Sequence, residues 1–480
     1  MLRQDFWRLI HMEERPFRKV LIANRGEIAV RVLRACHELG IKTVAVHSTV
    51  DEEALHVKLA NESVCIGPPS ATDSYLNVNA LISAAVATGA EAIHPGYGFL
   101  SESSSFAEIC GQCGITFIGP SVSNMRLMGD KAQARRLASK NDVPIVPGSN
   151  VAGVDAAKAR AEAEQMGFPV LIKAVAGGGG RGMKIVHSAD EFNRNFEQAS
   201  REVEAAFGDP NLYVEKYISV ARHVEVQIIG DRFQNVIHLG ERDCSVQRRY
   251  QKLIEETPAP CLSDTTRAKM HEAAVILAKS INYASCGTVE FLLDPTTEEF
   301  YFIEMNTRLQ VEHPVTEMVS RADIVKEQIW VAAGRELRNT QDELKHIGHS
   351  IEARINAEHP LTFAPSPGEI NGYHAPGGLG VRIDSALYDR YRIPPHYDSL
   401  IAKIIVLGAD RKEAIQKLLV ALNECIIGGI NTNMDVHRRV LQHPEFRSGA
   451  VHTGLLDSIL EQATVELSQK SVSDAVKANQ

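Results

Sequence analysis

The first 120 residues alternate short apolar runs with segments of helical period, and this alternation is the strongest constraint on the fold. Residues 19–23 form an apolar run, and 27–39 carry Ile28, Val32 and Leu39 on one helical face before Gly40 ends the helix. Further strands are predicted at 41–46, 64–67, 92–95 and 115–119, with helices at 51–63, at 76–88 and near 106. Repeated βα units predict a doubly wound parallel sheet, whose ligands gather at the carboxyl ends of its strands.

Length and composition limit the class of protein. The 480 residues are long enough for about three domains. A net charge of −9 argues against nucleic acid or anionic membrane as a partner. The chain has no apolar stretch long enough to span a bilayer, and its eight cysteines are scattered, so we expect a cytoplasmic enzyme with reduced thiols.

Changes in pattern along the chain predict its domain organisation. An α/β domain is predicted at 17–129, a central domain at 130–340 and a mixed α+β domain at 347–455. Residues 1–16 are interpreted as an extension, and 456–480 as a polar tail.

Four consecutive glycines interrupt two strand-like segments in the central region. Gly177, Gly178, Gly179 and Gly180 lie between strand-like residues 168–174 and 183–187. Backbone amides without side chains can approach phosphate oxygens closely, and Lys173, Arg181 and Lys184 add positive charge. No Gly-Lys-Ser/Thr follows, which argues against a P-loop. The pattern favours a flap over a nucleotide; a flexible surface loop is the alternative.

A second hairpin is predicted from residues 288–294 and 300–306, which are joined by a five-residue loop. If the loop closes symmetrically, each residue pairs with the one equidistant from the turn. The expected pairs are Asp294 with Phe300, Leu292 with Phe302, and Glu290 with Glu304.

Two opposed carboxylates in a mostly apolar hairpin need a positive charge between them or water around them. Glu290 and Glu304 repel each other unless a divalent cation lies between them, and Asn306 points to the same face as a further oxygen ligand. Hard oxygen ligands beside a phosphate pocket indicate Mg²⁺ or Mn²⁺. The alternative is a hydrated face on which both carboxylates are solvated.

The segment after this hairpin concentrates polar groups. Arg308 is suited to bind a small planar oxyanion, and Glu312 is placed to act as a general base worth roughly 10²- to 10⁴-fold in rate. Lys131, Lys252 and Arg354 are further basic candidates, each weak on its own.

Taken together, these motifs resemble the biotin carboxylase subunit of acetyl-CoA carboxylase, an ATP-grasp enzyme, over residues 19–453. The matching segments are IANRGEIAVRVLRAC from Ile22, HPGYGFLSE from His94, GGGGRGM from Gly177, ERDCSVQRR from Glu241, IEMNTRLQVEHPVTE from Ile303 and RINAE from Arg354.

The resemblance implies a fold and an activity. The implied fold is a doubly wound N-terminal sheet, an ATP-grasp central region with its glycine-rich flap subdomain at about 146–218, and a mixed C-terminal domain. The implied reaction is ATP-dependent carboxylation of biotin by bicarbonate through carboxyphosphate, with ATP and two Mg²⁺ or Mn²⁺ ions as cofactors and carrier-bound biotin as substrate.

The resemblance also implies roles for individual residues. The implied nucleotide contacts are Lys131, Lys173, Gly177 to Gly180, Glu215, Lys216, Ile218, His223, Gln247, Glu290 and Glu304; the metal ligands are Glu290, Glu304 and Asn306; the bicarbonate contacts are Lys252, Arg308, Gln310 and Val311; and the biotin contacts are Tyr97, Arg354 and Asp398. Glu312 is implied as the base that deprotonates bicarbonate, and Arg354 as the cation that stabilises the enolate form of biotin.

Two features of the chain depart from the family pattern. Tyr250 stands where the family commonly has His, which affects one nucleotide contact, and the extension 1–16 has no counterpart in short bacterial subunits. No Ala-Met-Lys-Met biotin-attachment motif occurs, so we expect biotin to arrive on a separate carrier protein and carboxyltransferase subunits to complete the reaction. The family further implies a homodimer. The equivalent subunit of a split pyruvate carboxylase or other acyl-CoA carboxylase, and an inactive nucleotide-binding scaffold, are the alternatives.

Overall fold

The computed structural model of the chain describes residues 16–148, 153, 155–174 and 183–462. Its helices are α1 (Gly26–Glu38), α2 (Leu55–Leu59), α3 (Val78–Thr88), α4 (Ser104–Gln112), α5 (Val122–Gly129), α6 (Lys131–Lys140), α7 (Ala156–Met166), α8 (Ala189–Phe207), α9 (Asp264–Ser280), α10 (His313–Ser320), α11 (Ile324–Ala332), α12 (Arg411–Glu424), α13 (Met434–Gln442) and α14 (Pro444–Ser448).

The strands found among the described residues belong to five sheets. They are β1 (Lys19–Ile22), β2 (Lys42–Ser48), β3 (Glu62–Gly67), β4 (Ala92–His94), β5 (Thr116–Phe117), β6 (Val170–Ala174), β7 (Lys184–Val186), β8 (Leu212–Lys216), β9 (Arg222–Gly230), β10 (Val236–Arg248), β11 (Gln251–Thr257), β12 (Ser285–Leu293), β13 (Phe300–Asn306), β14 (His349–Asn356), β15 (Gly368–Glu369), β16 (Tyr373–His374), β17 (Val381–Ser385), β18 (Arg392–Ile393), β19 (Leu400–Gly408) and β20 (Ile426–Ile427).

The N-terminal sheet confirms the predicted parallel architecture. Its strand order is β3-β2-β1-β4-β5, and every neighbouring pair is parallel. Helix α1 forms because its apolar residues recur at helical spacing, and Ile28, Val32 and Ala35 are all buried. The sheet therefore presents the first turn of α1 at the carboxyl end of β1.

The helix predicted at 51–63 is wrong in extent. A 3₁₀ turn occupies Thr49–Asp51, and the helix that follows is only α2. The reason lies in Asp51, which is fully buried, pairs with Arg25 at 2.6 Å and accepts the Tyr75 hydroxyl at 2.6 Å. These contacts turn the backbone of residue 51 inward before a helix can start there.

The central region contains an eight-stranded sheet of order β13-β12-β9-β10-β11-β14-β19-β17, with antiparallel neighbours throughout. Strands β14, β17 and β19 come from the region after residue 347, yet they continue the same sheet. Helix α10 packs against β10, β11, β14 and β19. One sheet face, covered by α10, therefore receives side chains from both parts of the chain.

A smaller sheet of order β7-β6-β8 forms the flap region. Strands β6 and β7 are antiparallel, with Val170 opposite Val186, so the two strands of the predicted glycine-tipped hairpin do pair. The four glycines themselves, Gly177 to Gly180, lie outside the described residues.

The hairpin of β12 and β13 contains the predicted central pair, but its register differs from the prediction near the turn. Glu290 is opposite Glu304 as predicted, but Leu292 lies opposite Tyr301 and Leu293 opposite Phe300. The Asp294 amide donates to the Glu299 carbonyl, so these two residues pair and the loop between them has four residues instead of the predicted five. A bulge between Glu290 and Phe291 then restores the carboxylate pair.

A buried carboxylate joins the sheet to the C-terminal helices. Glu256 on β11 pairs with His349 of β14 at 2.8 Å and with Arg411 of α12 at 2.6 Å. Burial disfavours its charge, but the bonds from His349 and Arg411 outweigh burial and lower the pKa of Glu256 to about 2.

No described helix combines the length and apolar character needed to cross a membrane.

We predict that Glu256→Gln lowers the free energy of unfolding at pH 7 by on the order of 3 kcal/mol, the value of a pKa difference from 4.5 to about 2. Because the folded-state pKa is depressed, this stabilisation is present above about pH 4.5 and is lost as the pH falls towards 2. Urea unfolding of both proteins at pH 7 and pH 3 measures the difference, which should shrink at the lower pH. Glu272→Gln, at an exposed position of α9, is the control. An equal difference at both pH values would contradict the assignment.

Candidate active site

Charged side chains that are almost wholly buried converge under α10. Glu225 of β9, Arg242 of β10, Lys252 of β11 and Glu290 of β12 come from neighbouring strands, and Glu312 immediately precedes α10. Glu225, Arg242 and Glu312 are completely buried, and the side chain of Lys252 is 11% exposed. Buried charges of this density persist only when they are paired.

Lys252 is the common partner of three carboxylates. Its Nζ lies 2.6 Å from Glu225 Oε2, 3.0 Å from Glu290 Oε1 and 2.7 Å from Glu312 Oε1. Glu225 also accepts from Arg242 Nε at 2.5 Å. The ammonium therefore connects the predicted general base to one of the predicted metal ligands.

Glu312 is held as a carboxylate. Arg354 Nη2 donates to its Oε2 at 2.9 Å, opposite the Lys252 contact. Burial opposes ionisation, but Lys252, Arg354 and Arg242 outweigh it and hold the pKa of Glu312 well below its usual range. The group is thus unprotonated at neutral pH.

Arg354 bridges Glu312 to a second buried carboxyl. Its Nε lies 2.5 Å from Glu255 Oε1. Burial raises the pKa of Glu255 to about 7, and the negative charge of Glu312 adds to this against the opposing effect of Arg354. Arg354 is therefore fixed at both ends of its guanidinium.

Glu290 is in contact with polar side chains from β9, β11, β13 and the turn before α10. His223 Nε2 lies 3.0 Å from its Oε2, and Asn306 Nδ2 and Gln310 Nε2 lie 2.9 and 3.0 Å from its Oε1. Burial is outweighed by Lys252 and His223, which hold the pKa of Glu290 well below its usual range. The residue is therefore ionised, which is the state that an oxygen ligand for a cation requires.

The residues of the hairpin fit a hard divalent cation. Glu290 and Glu304 are opposite each other on β12 and β13. Asn306, two residues after Glu304, is the last residue of β13. Glu304 is 34% exposed and pairs with Lys131 at 3.3 Å, so its carboxylate faces the open side of the site. Carboxylate and amide oxygens suit Mg²⁺ or Mn²⁺.

Arg308 is oriented by its neighbours. Its Nε donates to Glu102 Oε2 at 3.0 Å, and its Nη2 donates to Asn306 Oδ1 at 3.0 Å. Its Nη1 lies 3.3 Å from Gln310 Oε1. The guanidinium is therefore held beside the predicted metal ligands and the predicted bicarbonate residue Gln310, and Val311 follows directly in the same turn.

The predicted nucleotide contacts on the flap side form a separate group. Lys173 of β6 pairs with Glu215 of β8 at 2.5 Å, and Arg135 also pairs with Glu215. Lys216 donates to the Gly167 carbonyl at 2.7 Å. Ile218 is half-buried just after β8, and Gln247 is buried on β10 opposite Lys252.

Tyr97 and Asp398, two of the three predicted biotin residues, do not lie on the strand that carries Arg354. Tyr97 is half-buried after β4, and its hydroxyl donates to Glu27. Asp398 is exposed before β19 and accepts the Leu400 amide at 2.8 Å. Tyr250, where a His is usual, is 67% exposed in the turn between β10 and β11.

Sequence reasoning missed Glu225 and Arg242. Both lie on strands whose remaining residues are almost all buried. The signal was available, because a charged residue in the middle of a strand buried on both faces requires a buried partner.

Comparison with known proteins shows which family the chain resembles. Residues 16–125 match the biotin carboxylase N-terminal domain, 130–340 match the ATP-binding domain of the carbamoyl-phosphate synthase L chain, and 352–458 match the biotin carboxylase C-terminal domain. Biotin carboxylase from Nostoc sp. is 55% identical over 444 residues, which are 92% of this chain and 99% of that protein. A pyruvate carboxylase subunit from Methanothermobacter thermautotrophicus is 50% identical over 442 residues, 92% of this chain and 90% of that protein.

Solved structures give the same result. The biotin carboxylase–beta-gamma-ATP complex from Campylobacter jejuni has a TM-score of 0.87 and 50% identity, covering 92% of this chain and 99% of its own. The biotin carboxylase domain dimer of Hydrogenobacter thermophilus 2-oxoglutarate carboxylase, with MgADP, ADP and bicarbonate, has a TM-score of 0.86 and 48% identity, covering 92% and 98%.

The ATP-binding domain match, together with relatives of more than 50% identity that are named biotin carboxylase, makes the chain an ATP-dependent carboxylase. The chain belongs to the biotin carboxylase family.

We predict that Glu304→Gln weakens Mn²⁺ binding at least about tenfold in the presence of ADP, because one charged oxygen ligand is lost. Electron paramagnetic resonance of free Mn²⁺ measures the affinity without relying on turnover. Glu299→Gln, in the exposed turn of the same hairpin, is the matched control and should bind Mn²⁺ as the wild type does. Equal affinities in both variants would exclude Glu304 as a ligand.

Proposed function

We propose that this chain carboxylates biotin on a separate carrier protein, as the first half-reaction of acetyl-CoA carboxylase. The observation that carries the proposal is Lys252, whose one ammonium contacts both Glu312 and Glu290. A base for bicarbonate and a ligand for the nucleotide's metal are thereby held within one side chain's reach of each other.

Bicarbonate binding supplies the first step. Lys252 and Arg308 are the cations, with Gln310 and the Val311 backbone as further contacts. The anion shares the charge of Lys252 with Glu312, so the pKa of Glu312 rises from its depressed value and the carboxylate becomes a stronger base. Glu312 then removes the bicarbonate proton, and the oxygen so freed attacks the γ-phosphorus of ATP.

The proposed nucleotide contacts position the phosphates of ATP and neutralise their charge. Lys131, Lys173, Lys216, His223, Glu215, Ile218 and Gln247 are the proposed nucleotide contacts, with the glycines 177–180 as the flap. Two divalent ions held by Glu290, Glu304 and Asn306 would neutralise the phosphate oxygens. The products of this step are ADP and carboxyphosphate.

Biotin is carboxylated in the second step. Carboxyphosphate breaks into phosphate and carbon dioxide, and the phosphate takes the N–H proton of the biotin ureido group. Arg354, held by Glu255 and Glu312, is placed to stabilise the resulting enolate. The ureido nitrogen then attacks the carbon dioxide, which forms the N–C bond of carboxybiotin. Tyr97 and Asp398 are proposed to border the ureido ring.

The assembly is proposed by analogy with relatives. A neighbouring structure is described as a biotin carboxylase domain dimer, which supports a homodimer here. Biotin carboxyl carrier protein and carboxyltransferase subunits are the proposed partners. We retain 1–16, 17–129, 130–340, 347–455 and 456–480 as the proposed division of the chain.

The acyl acceptor separates the two candidate functions. The sequence motifs resemble those of the acetyl-CoA carboxylase subunit, whereas the Methanothermobacter pyruvate carboxylase relative, at 50% identity, favours a split pyruvate carboxylase. We predict that the chain, reconstituted with the carrier and transferase subunits from its own source, carboxylates acetyl-CoA. Transfer of ¹⁴C-bicarbonate to acetyl-CoA, pyruvate and 2-oxoglutarate is compared. Label in pyruvate or 2-oxoglutarate alone would overturn the acetyl-CoA assignment.

We predict that Glu312→Gln lowers the rate of bicarbonate-dependent ADP formation with free biotin by roughly 10²- to 10⁴-fold, because the amide cannot accept the proton. The KM for MgATP should stay within about twofold of the wild-type value. Reactions without bicarbonate give the background. A variant that retains its rate, or that loses ATP binding instead, would remove Glu312 from the role of base.

A further inference from the structure

Lys403 on β19 is a lysine without any exposed side-chain surface. Its Nζ lies 2.9 Å from the Val311 carbonyl oxygen, 3.1 Å from Glu27 Oε1 and 3.9 Å from Asp384 Oδ2. Burial opposes its charge, but Glu27, Glu352 and Asp384 outweigh burial and raise the pKa of Lys403. The buried group is therefore an ammonium, and it needs all of these acceptors.

The bond to Val311 fixes a turn that the chemistry uses. Val311 lies between Gln310, a proposed bicarbonate contact, and Glu312, the proposed base. A displaced carbonyl at Val311 moves both neighbours, because each is one peptide away. The turn begins at Arg308, whose guanidinium is held from the other side by Glu102.

Glu27, the second partner of Lys403, also contacts Tyr97, a proposed biotin residue. Glu27 Oε1 forms an ion pair with Lys403 at 3.1 Å and accepts a hydrogen bond from the hydroxyl of Tyr97. Glu27 Oε2 has no hydrogen-bond partner among the described residues. The two donors therefore share one oxygen atom, and a change in either bond alters the other.

Lys403 also contacts Tyr97 directly. Its Nζ lies 5.8 Å from the centroid of the Tyr97 ring, within the range of a cation–π interaction. Glu27 comes from α1, Tyr97 follows β4, Val311 precedes α10 and Lys403 lies on β19. One ammonium thus joins the N-terminal sheet region, the turn before α10 and the C-terminal part of the large sheet.

We infer that Lys403 is a positioning residue that holds the bicarbonate turn through Val311 and couples that turn, through Glu27, to Tyr97 in the biotin pocket. The inference rests on the proposed function of Gln310, Glu312 and Tyr97. It assigns no contact between Lys403 and any reacting atom.

Loss of this coupling should affect bicarbonate more than MgATP. Loss of the ammonium releases the turn, so bicarbonate binding and the carboxylation rate should suffer. Lys173 of β6, Glu215 of β8 and His223 of β9 are proposed MgATP contacts on other elements. Glu290 accepts from Gln310 of the turn, but it is also held by Lys252 and Asn306, so the KM for MgATP should rise far less than the KM for bicarbonate. A structural role alone would lower stability without separating the two substrates.

The test uses the full-length enzyme and steady-state ADP formation with free biotin. Lys403→Met alone leaves Glu27 buried without its cation, so the double variant Glu27→Gln/Lys403→Met is the main one, since it removes both charges together. We expect it to fold and to show a KM for bicarbonate raised about tenfold or more, as for loss of a hydrogen bond from a charged donor. The KM for MgATP should change by less than twofold.

Tyr97→Phe tests the coupling. In the wild-type background it should raise the KM for bicarbonate measurably, although Tyr97 is remote from the turn in sequence. In the double-variant background it should have no further effect on that KM, because the shared link is already absent.

Lys417→Met is the matched control, because Lys417 also donates to a carbonyl of β19, that of Leu407, at 2.9 Å, away from the site. Its kinetics should equal those of the wild type. An unchanged KM for bicarbonate in the folded double variant, or equal rises in both KM values, would overturn the role of Lys403 while the wild-type activity stands. Wild-type enzyme without bicarbonate-dependent ADP formation would overturn the proposed function and this role with it.

Discussion

The bond network of Lys252 is the interaction on which the site depends. Three carboxylates that are almost fully removed from water meet one ammonium, and two of them are the proposed base and a proposed metal ligand. Without that cation, Glu225, Glu290 and Glu312 would be ionised next to one another in a poorly solvated space, which is strongly unfavourable. Arg242 and Arg354 complete the charge balance, because each binds a carboxylate that Lys252 also binds.

The eight-stranded sheet explains how these charged side chains come together. Its polar face is closed by α10, and strands from the middle and the end of the chain contribute to it side by side. Glu255 of β11 and Glu352 of β14 are directly opposite each other, and Arg354 and Lys403 are opposite each other on β14 and β19. The charged groups are thus placed by rigid strands, and this arrangement keeps them oriented before any substrate binds.

Several parts of the site could be predicted because they depend on local periodicity. The pairing of Glu290 with Glu304 followed from two-residue alternation, and it held despite an error in the turn because a bulge compensated for it. Arg308 and Glu312 were noticed because polar residues crowd a short segment. Glu225, Arg242 and Lys403 were not, because their partners are distant in sequence and their strands resemble ordinary buried strands.

The amino-acid sequence by itself determined the parallel N-terminal sheet, the glycine-interrupted hairpin and the pair of opposed carboxylates, because all three arise from periodicity and from residue types within a few positions. Only the tertiary structure decided that the C-terminal strands continue the central sheet, that Lys252 joins Glu225, Glu290 and Glu312, and that Lys403 reaches both Val311 and Glu27. These contacts join residues far apart in the chain, and their geometry is set by strand order and by the packing of α10, which no local pattern encodes.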